Sequence, residues 1–170
     1  GVPLAIYLLA RKSIRHDSLK DLVRRWREGR TALLSDGTNR DERSCSIEAA
    51  YELSLQGEID ANPTAKQVLA VLSMLPGGML RDDMAALPSI QGGLDDAIDL
   101  LSGTGRGLIF RKGGRLLMLP LLREYGRKRF RRHREIRDQT IEFFLTLTRD
   151  EAKLAGRHRS EASIQRVFAE

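Results

Sequence analysis

Apolar residues recur at helical spacing along most of the chain, and turn-forming residues interrupt them at intervals. Pro3 suits the first turn of a helix, where its missing N–H costs nothing. With Leu4, Leu8 and Arg11 following at helical spacing, a helix is predicted to about Lys12. His16 and Asp17 begin a turn, and Asp17 or Ser18 caps the next helix. There Leu19, Leu22, Val23 and Trp26 share one face, Arg24, Arg25 and Arg27 lie off it, and Gly29 is the expected stop. The polar stretch "SDGTNRDE" (35–42) reads as a loop. Ser44 or Ser46 then caps a helix with Ile47, Ala50, Tyr51 and Leu55 as its stripe, ended by Gly57.

The middle of the chain is punctuated more sharply. Asn62 caps a helix, Pro63 takes its first position, and Val68, Leu69, Val71, Leu72 and Leu75 give it a wide apolar face. Pro76-Gly77-Gly78 ends it. A short helix over 81–87 is stopped by Pro88. Leu94, Ile98 and Leu101 mark another, closed by Gly103 and Gly105. Two apolar runs, 108–110 and 116–119, flank Lys112-Gly113-Gly114-Arg115 and predict a β-hairpin. Pro120 opens a helix with Leu121, Leu122, Tyr125 and Phe130 as apolar positions. A last helix starts near Glu135 and carries Ile136, Ile141, Phe144, Leu145 and Leu147; from Arg157 a turn and a further helix are expected. Three helices followed by a hairpin, between Asn62 and Leu119, is the order of a winged helix. The expected fold is therefore mainly α: a helical unit (1–60), a winged helix with a small hairpin (61–132), and a helical region from 133 that opens a repeat array.

Composition narrows the class. The chain has 170 residues, 41% of them hydrophobic and 31% charged, a balance suited to a globular protein. No apolar run approaches the roughly 20 residues of a membrane span, so no membrane role is expected. One cysteine, Cys45, excludes an internal disulfide and a cysteine-rich zinc site. Together these point to a cytoplasmic protein. The net charge of +6 is unevenly placed. Between 106 and 134 stand eleven basic residues, among them Arg111, Lys112, Arg115, Arg123, Arg127, Lys128, Arg131, Arg132 and Arg134, against the single acid Glu124. Such a run is either a solvated helix face or a docking surface for phosphates or acidic segments.

Four segments in one order resemble the C-terminal part of an NB-ARC module, the nucleotide-binding switch of STAND-type ATPases, in a fungal flavour. "GVPLAIYLLA" resembles the GLPLA motif that opens the helical subdomain after the P-loop domain. "SIEAAYELSL" resembles the segment before the family's winged helix, and "AKQVLAVLSMLPGGM" its first winged-helix element. "DAIDLLSGTGRGLIFRKGGRLLMLPLLREYGRKRF" resembles the wing and the helix after it. The likeness covers Gly1 to about Phe130. The helix from Glu135 is similar to the start of a superhelical array of tetratricopeptide type.

The resemblance implies specific roles. Pro3 stands at the GLPLA proline, which packs beside adenine in the family, with Leu4 next to it. The family's MHD motif, whose His holds the ADP phosphate, falls on Met118, Leu119 and Pro120. Leu119 replaces the His, and neither it nor Pro120 can donate a side-chain hydrogen bond to a phosphate. Arg123, one helical turn on from Pro120, is the substitute candidate. ADP or ATP is expected only with the upstream P-loop domain, because no G-x-x-x-x-G-K-[ST] segment occurs in the chain. The implied partners are that domain, a downstream repeat domain, and further copies of the protein on activation.

No catalytic or metal-binding set is expected. Asp82, Asp83, Asp95 and Asp96 stand at helix N-termini, where the dipole favours them. His16, His133 and His158 match no ligand spacing, and Cys45 lacks a nucleophile's partner. The chain alone is therefore expected not to be an enzyme. The competing function is a DNA-binding winged helix, with the helix 94–101 in the major groove and Arg111, Lys112 and Arg115 on phosphates. Asp95, Asp96 and Asp99 on that helix oppose it, so nucleic acid is not the expected partner. A generic helical interaction domain is the third reading.

Overall fold

The computed structural model describes residues 3–13, 18–35, 42–103 and 107–157. Among them the helices are α1 (Pro3–Ser13), α2 (Leu19–Ser35), α3 (Glu42–Leu55), α4 (Glu58–Ala61), α5 (Pro63–Met74), α6 (Arg81–Ala85), α7 (Leu94–Ser102), α8 (Pro120–Arg129) and α9 (Arg134–Arg157). The strands are β1 (Met79–Leu80), β2 (Ile109–Lys112) and β3 (Arg115–Met118). The turn at His16 and Asp17, part of the 35–42 loop, Gly105 and the expected helix beyond Arg157 lie outside the described residues.

α1 and α2 both pack on α3. Ser18 caps α2, its Oγ accepting from the Asp21 amide at 3.3 Å. Leu22 is fully buried and the Trp26 indole donates to the Ser46 carbonyl at 3.1 Å, but Leu19, expected on the same stripe, is exposed. Gly29 does not stop α2, which runs on to Ser35. A mid-helix glycine costs only about 1 kcal/mol, and here it lets α2 lie close to Ala49, 3.5 Å from where a Cβ would stand. α3 begins before the expected caps, so Ser46 sits buried inside it. Past Gly57 the chain makes the extra turn α4, which buries Ile59.

α5 is the hub of the second half, touching α4, α7, α8, α9 and β3. Its start matches the expectation: Asn62 accepts from the Ala65 amide at 2.9 Å and Pro63 occupies the first turn. Val68, Leu69, Val71 and Leu72 are fully buried. The expected hairpin forms around Gly113 and Gly114, whose φ of +57° and +78° suit a two-residue hairpin turn. Its sheet has a third strand. Directly after Gly78, β1 pairs antiparallel with β3, Met79 opposite Leu116 and Leu80 opposite Arg115, giving the order β1-β3-β2. The sequence α5-β1-α6-α7-β2-β3 with this sheet order is the winged-helix arrangement. One cluster of buried side chains runs from Ala5 and Leu8 through α3 and α5 to Ile136.

α8 crosses α5 closely because Gly126 has no side chain; a Cβ there would lie 2.8 Å from the Ser73 Cβ. Of the apolar positions on α9, Ile136 is buried and Phe144 packs on the core, while Ile141 and Leu145 are exposed.

Candidate functional site

The GLPLA-like helix and the MHD-like position meet at one cleft. Its volume is about 400 Å³, and its walls include Tyr7 from α1, Ser102 at the end of α7, Phe110 and Arg111 from β2, and Leu119. Pro3 and Leu4 lie in the first turn of α1, and Tyr7 follows Pro3 by one helical turn, at i+4. Tyr7 and Phe110 remain 41% and 39% exposed, so two aromatic rings border the opening. Aromatic faces of this kind suit a flat ring, and Arg111 adds a positive charge beside them. The Ser102 hydroxyl is turned inward and donates to the Ile98 carbonyl at 2.7 Å.

Leu119 is held there by the backbone. Pro120 disfavours a helical conformation at the residue before it, and Leu119 is extended, with φ −59° and ψ 142°. Its carbonyl accepts from the Arg123 amide at 2.9 Å and so starts α8. The Leu119 side chain is half-buried and apolar. The Arg123 side chain does not line the cleft: its guanidinium donates to the Pro76 carbonyl at 3.2 Å. Sequence reasoning missed Tyr7 and Phe110, although the i+4 spacing from Pro3 marks the former.

Hydrogen bonding divides the basic run by task. Arg127 Nε donates to the Ser73 carbonyl at 3.1 Å, and Arg115 donates to the carbonyls of Gly77 and Gly78 at 2.9 and 3.0 Å. With Arg123 on Pro76, three arginines satisfy four carbonyls around the C-terminus of α5. That end carries the negative pole of the helix and needs donors. Arg129 lies 3.5 Å from both Glu52 and Asp60. Lys128 sits 5.3 Å over the Tyr125 ring. Much of the run is therefore structural.

α7, the helix that would read a DNA groove, presents acids instead. Asp95, Asp96 and Asp99 are exposed. Arg81 donates to both Asp95 oxygens, at 2.9 and 2.6 Å, and this pairing holds the Asp95 carboxyl below its usual range. On α3, burial pushes the Tyr51 phenol well above its ordinary value. Burial also raises the Glu52 carboxyl, with Arg129 opposing the shift.

Among the described residues no group of three or more His, Cys, Asp or Glu is placed to hold a metal ion. Cys45 is buried and unbridged. No described helix is long and apolar enough to cross a membrane. Compared with known proteins, the chain matches no family model, no curated protein sequence and no solved structure.

Proposed function

We propose that this chain is the regulatory part of a nucleotide-driven switch of the STAND, NB-ARC-like kind: a helical subdomain and a winged helix that follow a P-loop domain. In this reading the chain performs no chemistry alone. It closes one side of an ADP or ATP pocket, and the nucleotide state sets how the winged helix docks. The observation that carries the reading is the cleft shared by α1 and Leu119. Tyr7, two residues past the GLPLA-like segment, and Leu119, at the MHD-like position, are far apart in the chain, yet they line the same opening, with aromatic faces suited to a flat base; the side chains of Pro3 and Leu4 lie outside the described residues. The winged-helix order of α5 to β3 supports it further.

Leu119 makes the switch unusual. A phosphate held by the pocket finds no side-chain donor at that position, so the closed state rests on the base and on the P-loop. Such a protein releases ADP more readily than one with a His latch.

The test is the nucleotide content of the full-length gene product. Purified without added nucleotide, it is expected to carry ADP, and Pro3→Ala or Tyr7→Ala is expected to lower that content. A product with no P-loop domain before this chain, or equal ADP retention in all three proteins, would sink the proposal.

A further inference from the structure

The basic residues not used inside the fold point to a second site. A cleft of about 730 Å³ opens where α5 begins and α8 turns into α9. Lys66 enters it from α5, Arg132 and His133 from the elbow, and Arg134 from the start of α9. Among the described residues Lys66, Arg132 and Arg134 make no ion pair or side-chain hydrogen bond, unlike Arg115, Arg123, Arg127 and Arg129. Glu135 also lines the cleft, so three cations face one carboxylate. Ser89 and Gln139 also line the cleft, while their Oγ and Oε1 atoms are themselves buried and without a hydrogen-bond partner. The positive pole of α9, a helix of 24 residues, adds to the same potential.

We infer that this cleft binds a small phosphorylated molecule carrying at least two negative charges. Unpaired cations from three segments in a concave site attract an anion far more strongly than the same charges spread over a convex face. The volume lies in the range of small-molecule pockets. A nucleic-acid backbone would instead need cations along an extended track, and here neighbouring arginines are tied to backbone carbonyls or to Glu52 and Asp60. The cleft shares no lining residue with the α1–Leu119 cleft, so the nucleotide pocket and this anion site stand or fall separately.

The probe is inorganic pyrophosphate, titrated into the 15N-labelled chain at low ionic strength. Saturable amide shifts are expected in 89–92 and 132–139. The Lys66→Gln/Arg134→Gln variant is expected to bind about tenfold more weakly, the equivalent of one lost charge-assisted contact. Lys112→Gln, on the wing and outside both clefts, is expected to leave binding unchanged. If the first variant loses its fold, Arg132→Glu at the exposed elbow carries the same test. Absence of saturable shifts at millimolar pyrophosphate would overturn the inference. So would shifts spread evenly over the wing, which mark diffuse attraction. A DNA duplex that moves the same amides at lower concentration than pyrophosphate would also overturn it, by making the ligand a nucleic acid.

Discussion

Gly78 is the position where one added methyl group should do the most damage. Its φ of +72° is left-handed, and a Cβ built there lies 2.1 Å from the Leu116 carbonyl oxygen and 3.0 Å from Leu117 Cγ. The first contact is with backbone in the middle strand of the sheet, which cannot yield as a flexible side chain can. In Gly78→Ala the left-handed conformation alone costs about 1–2 kcal/mol. Relieving the clash means moving β1 off β3, which disrupts the pairings Met79–Leu116 and Leu80–Arg115. At about 1 kcal/mol per hydrogen bond, the expected total is about 3–5 kcal/mol. Gly113→Ala is the matched control. Gly113 also has a positive φ, +57°, but nothing lies within 4 Å of its Cβ position, so it should cost about 1–2 kcal/mol. Urea unfolding, followed by circular dichroism and by the fluorescence of the single tryptophan, Trp26, measures both. The gap of about 2 kcal/mol or more corresponds to about 4–8 °C in Tm for a chain of this size. Equal destabilisation by the two substitutions would show that the contact with Leu116 has no energetic consequence.

Three further outcomes follow from the same structure. Arg115→Ala removes donors from the Gly77 and Gly78 carbonyls and is expected to cost about 1–3 kcal/mol in urea unfolding, whereas Arg111→Ala, on the exposed wing, should stay within about 0.5 kcal/mol. Glu52 has its folded pKa raised, chiefly by burial, above the ordinary value of 4.5, so the folded state binds the proton more tightly and its contribution to stability falls as pH rises from that value through the raised pKa; Glu52→Gln should flatten the Tm–pH profile in that window, and an unchanged slope would count against the assignment. With Asp95, Asp96 and Asp99 exposed on α7, anisotropy titration of a DNA duplex is expected to show no binding that depends on α7, and tight, steeply salt-sensitive binding abolished by α7 substitutions would favour the DNA reader instead.

Features set by neighbours in sequence are legible from the residues alone. Asn62-Pro63 at the head of α5, Pro76-Gly77-Gly78 at its end, Gly113-Gly114 between two apolar runs and Pro120 at the start of α8 each act through local backbone chemistry. What escapes such a reading is set by residues far away. β1 has two residues, too few to show any alternation, and is a strand because β3 lies beside it. The continuation of α2 through Gly29 rests on its packing against α3, and the exposure of Leu19 and of Ile141 and Leu145 follows from which neighbours reach them. The basic run looks like one surface in the sequence. Its arginines part company because the carbonyls at the end of α5 take Arg115, Arg123 and Arg127. At the candidate site, the sequence marks Pro3, Leu4, Leu119 and Arg123; the fold puts Leu119 beside Tyr7 and Phe110 and ties Arg123 to Pro76.

In the function proposed above, the α1–Leu119 cleft is one side of a nucleotide pocket. Amide hydrogen exchange on the full-length product, with ADP bound and with ADP removed, tests it most directly. ADP is expected to slow exchange in α1 and in the segments around Phe110 and Leu119, while the second half of α9 exchanges alike in both states. Identical exchange across α1, β2 and Leu119 with and without ADP would contradict it.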